Sequence, residues 1–200
     1  PQGLKLTEIG DSLGLPQSTS HHILDTLRKR DYVRQDPDTK RYLLGFRFLE
    51  ISRRILGGMD IRGIARENLV RINQECGLAV HLAVLNGKKV VYIDKLDARE
   101  GLSLATYVGF ATDPHAAAGG KVLLAGLPEA EVREIYHDRV LKAYAPKTIT
   151  DLEALLVQLR DIKRVGYAVD DEEYYEGVRC VAAPISAGGR IVASLSVTGS

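Results

Sequence analysis

The stretch that decides the fold is LTEIGDSLGLPQSTSHHILDTLRKR, residues 6–30. It contains two amphipathic segments joined by a very short connection, and the first segment has three apolar residues at helical spacing, Leu6, Ile9 and Leu13. Gly14 follows at a position where helices often end on a residue with positive φ. Pro16 stands where a second helix can begin, because a first turn tolerates its fixed φ and missing N–H. Two short helices joined in this way predict a helix-turn-helix.

The second segment predicts one inward face and one polar face. The inward face consists of Ser20, Ile23, Leu24 and Leu27, and the opposite face includes Asp25 and Arg28. A helix-turn-helix presents the start of its second helix to the DNA major groove. We therefore expect DNA contacts from Gln17, Ser18, Thr19, His21 and His22. An αα-corner in a helical protein would show the same pattern, so this segment alone does not distinguish the two structures.

The following residues predict a short hairpin. Two strand patterns, residues 32–35 and 40–44, flank Asp36-Pro37-Asp38-Thr39, which has Pro at the second position of a type I turn. Lys40 and Arg41 come directly after this turn, where their charges are placed for DNA phosphates beside the groove. A helix-turn-helix followed by such a hairpin is a winged helix. The sequence therefore predicts binding to double-stranded operator DNA.

Composition narrows the class of protein. Two hundred residues with 45% hydrophobic content can form the core of one large domain or two small ones. Residues 1–54 hold ten Lys or Arg against seven Asp or Glu, whereas residues 55–200 hold seventeen against nineteen. This small excess of positive charge in the N-terminal part agrees with DNA binding there. The two cysteines, Cys76 and Cys180, have neither a disulfide framework nor zinc spacing. With no signal peptide and no long apolar run, we expect a cytoplasmic protein without cofactor, metal or membrane contact.

A boundary divides the chain after the wing. An apolar helical pattern from residue 46 ends at Gly57-Gly58. We therefore expect three parts: a DNA-binding domain at residues 1–45, a linker helix at 46–57 and a second domain at 58–200. The linker has more apolar surface than one small domain needs, so we expect it to pair with a second copy. The alternative is that it covers its own wing.

The second domain alternates between helical and strand patterns. A helix from Asp60 ends at Gly77 and includes Cys76, expected as a packed core thiol. Further helices are predicted at residues 115–127, 128–137 and 151–166, and strands at 79–85, 90–94, 102–108, 178–185 and 191–197. This pattern predicts an α+β fold in which helices pack against an antiparallel sheet.

Three features of the second domain are candidates for a ligand site. Ala118-Gly119-Gly120-Lys121 begins a helix, whose N–H groups attract anions, but it lacks the residues of a P-loop; close helix packing is the alternative. Asp170-Asp171-Glu172-Glu173 is typical of a solvated acidic loop. Cys180 lies in an apolar strand, which favours a buried, inert thiol. Ser196 and Thr198, with Ser194, form a polar row on one side of a strand, as in a lined cavity.

Several strings resemble the IclR family of bacterial transcriptional regulators over nearly the whole chain: LTEIGDSLGLPQST, YVRQDPDTKRYLLG, HAAAGGKVLLA, GYAVDDEEYYEGVRCVAAPI and VASLSVTG. The resemblance implies a winged helix, a linker helix and a GAF-like effector domain. It also implies a ligand-responsive regulator, usually a repressor, that forms homodimers or dimers of dimers. His22 and Ser20 depart from the family, which usually has Arg and Val there. Compared with the family, a helix before Pro1 and one after Ser200 are missing, so we expect a chain trimmed at both ends.

The resemblance also implies an effector site for a small carboxylate. Ala118 and Gly119 match family residues that offer backbone amides to the effector. The other contacts implied by position are Asp170, Cys180, Ser196 and Thr198, with apolar walls at Leu102, Leu104 and Val178.

Two other classes of function are compatible with parts of the sequence. One is a hydrolase with Cys180 as nucleophile and His115 or His81 as base, although nothing in the spacing indicates a third, orienting group. The other is a winged helix used only for protein contacts, which the basic wing disfavours.

Overall fold

The computed structural model describes residues 3–100 and 105–200. The chain forms two compact units, Pro1–Met59 and Asp60–Ser200. Within the described ranges, no helix combines the length and apolar character needed to cross a membrane.

The first unit contains the predicted helix-turn-helix and hairpin. Its elements are α1 Leu6–Leu13, α2 Gln17–Lys29, β1 Val33–Gln35, β2 Tyr42–Leu44 and α3 Arg47–Gly57. Helix α1 ends at Gly14 with φ 63°, as the sequence predicts. Helix α2 begins one residue later than predicted, because Pro16 has an extended ψ of 145° and precedes the first helical residue.

Ser20 and Leu24 form the buried stripe of α2. A Cβ on Gly10 of α1 would lie 3.1 Å from the Ser20 hydroxyl oxygen, so the glycine makes room for a small polar side chain at this contact. The prediction that Ile23 faces inward is wrong, since its side chain is 46% exposed. The covered stripe follows the i, i+4 positions Ser20 and Leu24, and Ile23 lies beside it.

The wing closes through a wider turn than predicted. The Lys40 N–H donates to the Asp36 carbonyl at 3.0 Å, and Lys40 has a left-handed φ of 56°. The Asp36 carboxylate accepts from the Thr39 N–H and hydroxyl, both at 2.8 Å. These bonds stabilise a five-residue turn in place of the predicted four-residue one. Leu4 pairs with Tyr42 as a further bridge on the β2 side, which the sequence did not indicate.

The second unit is a six-stranded antiparallel sheet with helices packed on it. The elements are α4 Asp60–Cys76, β3 Ala79–Asn86, β4 Lys89–Leu96, β5 Ala111–Thr112, a 3₁₀ turn Pro114–Ala116, α5 Ala118–Ala125, α6 Glu129–Tyr136, α7 Leu152–Val165, β6 Ala168–Asp171, β7 Arg179–Ala187 and β8 Arg190–Gly199. The strand order is β5-β4-β3-β8-β7-β6. The short strands β5 and β6 were not predicted. Helix α7 is capped as expected, by the Asp151 carboxylate and by Gly166 with φ 83°.

Helix α5 is the centre of the core in this unit. All eight of its residues are buried, and it packs against the sheet on one side and α7 on the other. A Cβ on Gly120 would overlap the Pro114 carbonyl, so glycine is required for this close approach. The single helix predicted over residues 115–127 is wrong, because Ala117 is extended (φ −121°, ψ 135°) and separates the 3₁₀ turn from α5.

Two further predictions about this unit are wrong. Cys76 is exposed and not a core thiol, because it is the last residue of α4 and its sulfur only accepts from the Leu78 N–H at 3.5 Å. Residues 105–108 of the predicted strand 102–108 are not a strand, and residues 102–104 lie outside the described ranges. The backbone turns instead, with the Phe110 N–H bonded to the Tyr107 carbonyl, and its backbone bonds to β4 begin at Gly109.

Candidate functional site

A cavity of the second unit lies between the sheet, the start of α5 and the segment after β6. The cavity has a volume of about 40 Å³ and is partly open to solvent. Seven of the predicted effector residues line it: Ala118, Gly119, Asp170, Val178, Cys180, Ser196 and Thr198. Leu102 and Leu104, the other two, lie outside the described residues.

Strand register explains why residues distant in sequence meet here. Asp170 pairs with Cys180 across β6 and β7, and Cys180 pairs with Thr198 across β7 and β8. His81 on β3 pairs with Ser196. Paired residues of an antiparallel sheet face the same side, so these five side chains share one face. The Cys180 sulfur and the Thr198 hydroxyl are 3.0 Å apart.

The start of α5 adds backbone donors to this face. Ala118 is its first residue, and the first N–H groups of a helix have no acceptor within the helix. A Cβ on Gly119 would lie 2.9 Å from the Ser194 hydroxyl, so the second residue of α5 must be small. The glycines therefore serve close packing, and the same packing brings the helix terminus to the cavity.

The acidic run of residues 170–173 is divided between cavity, core and surface. Asp170 is 3% exposed and lines the cavity, and its carboxylate accepts from the Glu173 N–H at 2.7 Å. Asp171 and Glu172 instead form ion pairs with Lys147 and Arg179. The prediction of a solvated loop is therefore wrong for the two ends of the run. Burial raises the pKa of Asp170 to about 6.

Lys121 and Glu173 form a buried ion pair that was not predicted from the sequence. The Lys121 ammonium is fully buried and donates to the Glu173 carboxylate at 2.5 Å and to the Val169 carbonyl at 2.7 Å. This pair links α5 to the segment that carries Tyr174 and Tyr175, both of which line the cavity. The available signal was a lysine inside the otherwise apolar string AGGKVLLA. No Lys or Arg is among the described residues that line the cavity.

Aromatic rings form the wall of the cavity near β3 and β4. The centroids of the His81 and Tyr92 rings are 4.8 Å apart. The Tyr92 ring stacks on that of Phe110, with their centroids 5.7 Å apart. The His81 Nε2 is 2.9 Å from the Thr106 hydroxyl. Burial lowers the pKa of His81 to about 4, so the ring is neutral at physiological pH.

The arrangement does not support the cysteine hydrolase. Burial raises the pKa of Cys180 to about 12, so the sulfur is a thiol and not a nucleophilic thiolate. Its hydroxyl neighbour is Thr198, whereas His81 is bonded to Thr106 and His115 to the Lys142 carbonyl.

The first unit presents the predicted DNA-contacting residues on its surface. The exposed residues at the start of α2 are Gln17, Ser18, Thr19, His21 and His22. Lys40 is exposed at the wing turn. Arg41 instead donates to the Gly3 carbonyl at 2.8 Å and to the Glu8 carboxylate at 3.1 Å, so it ties the wing to α1.

A winged helix-turn-helix unit together with an α+β unit that contains a small cavity, with a mainly apolar lining and a few polar groups, is the architecture of a DNA-binding transcriptional regulator controlled by a small molecule. Residues 1–37 match the profile of the IclR helix-turn-helix domain, and residues 53–200 match that of the bacterial transcriptional regulator IclR C-terminal domain. The chain belongs to the IclR family. It is a regulator and not an enzyme.

Individual relatives agree with this assignment. The chain is 36% identical to the HTH-type transcriptional regulator XynR of Escherichia coli strain K12, over 98% of this chain and 78% of XynR. It is 29% identical to the HTH-type transcriptional repressor AllR of the same strain, over 97% and 72%. Among solved structures, IclR of Thermotoga maritima matches with TM-score 0.75 and 33% identity, over 100% of this chain and 81% of that one. An IclR homolog from Microbacterium hydrocarbonoxydans complexed with 4-hydroxybenzoate matches with TM-score 0.83 and 28% identity, over 98% and 81%.

The buried ion pair generates a stability prediction. Lys121→Met leaves the Glu173 carboxylate buried without its cation, so the free energy of unfolding should fall by about 3–5 kcal/mol, measured by urea denaturation. Adding Glu173→Met should restore most of this loss, because both charges are then absent. Lys163→Met, at an exposed position of α7, is the control. A loss no larger than that of the control would contradict the buried pair.

Proposed function

We propose that the first unit reads operator DNA and that a small carboxylate bound in the second unit controls this reading. Residues 1–45 would form the DNA-binding domain, 46–57 the linker and 58–200 the effector domain. The observation that carries the proposal is that seven residues scattered from Ala118 to Thr198 line one cavity at the start of α5. The name of AllR as a repressor supports repression as the mode of action.

In the proposed DNA complex, the start of α2 enters the major groove and the wing lies beside it. Base contacts would come from Gln17, Ser18, Thr19, His21 and His22. Lys40 would contact phosphate. Arg41 was predicted to do the same, but its bonds to Glu8 and Gly3 favour a role in holding the wing in place.

Salt dependence tests the wing. Lys40→Ala should weaken binding to all duplex sequences and reduce the slope of log K against log salt by about 0.9, because one phosphate contact is lost. The measurement is a fluorescence anisotropy titration of the whole chain with an arbitrary duplex at several salt concentrations. Lys163→Ala, in the second unit, should leave the slope unchanged. An unaltered slope for Lys40→Ala would refute the phosphate contact.

We further propose that the chain forms homodimers through α3, and that dimers can pair. None of the residues of α3 is buried, and Phe46, Leu49 and Ile55 are exposed. Phe48 contacts the Tyr32 ring at 5.6 Å, so part of the helix covers its own unit, but most of its apolar surface has no cover within that unit. Paired linkers would place the two DNA-binding domains of a dimer on one face of the DNA.

Light scattering tests this assembly. The whole chain should have at least the mass of a dimer at micromolar concentration. Leu49→Glu combined with Ile55→Glu should give a monomer, because charges would then lie in the paired apolar faces. Val140→Glu, at an exposed position of the second unit, should leave the mass unchanged. A wild-type monomer would exclude the dimer.

In the proposed effector site, the Ala118 and Gly119 amides hold the carboxylate, since a helix N-terminus supplies unpaired donors and partial positive charge. Ser196 and Thr198 would donate to the remaining oxygens, and the Cys180 thiol would be a weak donor. No cation among the described lining residues neutralises the ligand. Asp170 must therefore be protonated, or accept a ligand hydroxyl, for an anion to bind well.

This requirement generates a pH prediction. Because an ionised Asp170 repels the ligand, the affinity for a small carboxylate should rise about ten-fold for each pH unit as pH falls toward about 6 and then level off. Calorimetric titration with small carboxylates, 4-hydroxybenzoate among them, measures the effect. Asp170→Asn should bind independently of pH, whereas Asp171→Asn, on the surface, should keep the wild-type profile. A flat wild-type profile would contradict protonation of Asp170.

A further inference from the structure

His81 is a cavity residue that the proposed carboxylate site does not use. Its side chain is only 2% exposed and lines the cavity. Nε2 is bonded to the Thr106 hydroxyl, whereas Nδ1 is buried and has no hydrogen-bond partner among the described residues. A buried polar atom without a partner costs free energy, so a partner from outside the protein is expected for Nδ1.

The chemistry of the imidazole limits what this partner can be. If Nε2 donates to Thr106, Nδ1 is a bare acceptor and needs a donor. If Nε2 accepts from Thr106, Nδ1 carries the proton and needs an acceptor. A hydroxyl group can serve in either case. The low pKa of His81 agrees with an uncharged partner, because a neutral ring does not neutralise a second carboxylate.

The charged neighbours of His81 agree with this reading. Lys95 pairs with His81 across β3 and β4 and disfavours a second positive charge on the ring. Its ammonium is bonded to the Thr106 carbonyl and the Asp97 carboxylate. Asp97 acts in the opposite direction, but burial outweighs it.

The position of His81 separates it from Asp170. The strand order puts β3 three strands from β6, so the backbones of these two strands are about 14 Å apart at roughly 4.8 Å per strand, although both side chains line the same cavity. Ser196 lies between them and is the cross-strand neighbour of His81. The Tyr92 and Phe110 rings beside His81 provide an apolar wall for a carbon skeleton. His81 therefore faces a different part of the ligand from Asp170.

We propose that His81 is a specificity-determining residue that binds an uncharged hydroxyl group of the effector, so that the site selects hydroxylated carboxylic acids over their parent acids. Thr106 is the positioning residue, because its hydroxyl holds Nε2 and leaves Nδ1 for the ligand. This inference rests on the proposed carboxylate site.

The experiment compares acids that differ by one hydroxyl group. Calorimetric titration of the whole chain uses benzoate against 4-hydroxybenzoate, and butanoate against 4-hydroxybutanoate. In at least one pair, the wild type should bind the hydroxylated acid about ten-fold to a hundred-fold more tightly. His81→Phe should reduce this ratio to about one and leave the affinity for the parent acid within about two-fold. Thr106→Val should also reduce the ratio, whereas Thr106→Ser should retain it.

The outcomes separate this inference from the carboxylate site. A wild type that binds acids but shows no preference within either pair overturns the role of His81, as does a preference that survives in His81→Phe. If His81→Phe does not fold, as judged by circular dichroism, Thr106→Val decides, and an unchanged ratio in that variant overturns the proposal. Ser196→Ala should weaken both members of a pair equally. If no acid binds the wild type, the carboxylate site itself is refuted, and the inference with it.

Discussion

The fold of the second unit, Asp60–Ser200, depends on how a positive charge is placed in its interior. Lys121 has no access to water, so its ammonium must be compensated by protein groups, and Glu173 and the Val169 carbonyl do this. The pair fixes the distance between α5 and the segment after β6. Because Ala118 is on α5 and Tyr174 is on that segment, the shape of the cavity between them is set by the same pair.

Further bonds extend from this pair toward the surface. The Thr148 hydroxyl donates to the Glu173 carbonyl at 2.5 Å, and the Tyr144 ring stacks on Tyr174 at 4.5 Å. Tyr144 in turn donates to Asp113, which is also bonded to Lys89 and Arg139. One wall of the cavity is thereby connected to the turn that precedes α5. A ligand that displaces Tyr174 would act on these bonds and not on one side chain alone.

The sequence predicted the features that follow from local periodicity. The Gly14 turn, the caps of α7 and the alternation of Ser194, Ser196 and Thr198 each need only a few neighbouring residues. The sequence did not predict the features that depend on contacts between residues far apart in the chain. Asp170 and Asp171 are adjacent acids with opposite environments, because a strand turns alternate residues to opposite faces. The Lys121–Glu173 pair and the His81–Thr106 bond join residues far apart in sequence, so a local pattern can mark Lys121 as unusual but cannot identify the partner of either residue. The family resemblance supplied predictions of effector positions that residue chemistry alone left open.

The two cysteines are chemically distinct, which has a practical consequence. Cys180 is held as a thiol inside the sheet, whereas Cys76 is exposed at the end of α4. A thiol-directed fluorophore at neutral pH will therefore attach to Cys76 without prior mutagenesis. The label then reports from the junction between α4 and β3, on the effector unit but outside the cavity. The unmodified chain therefore offers one labelling site, Cys76, at which a fluorophore can report on ligand binding.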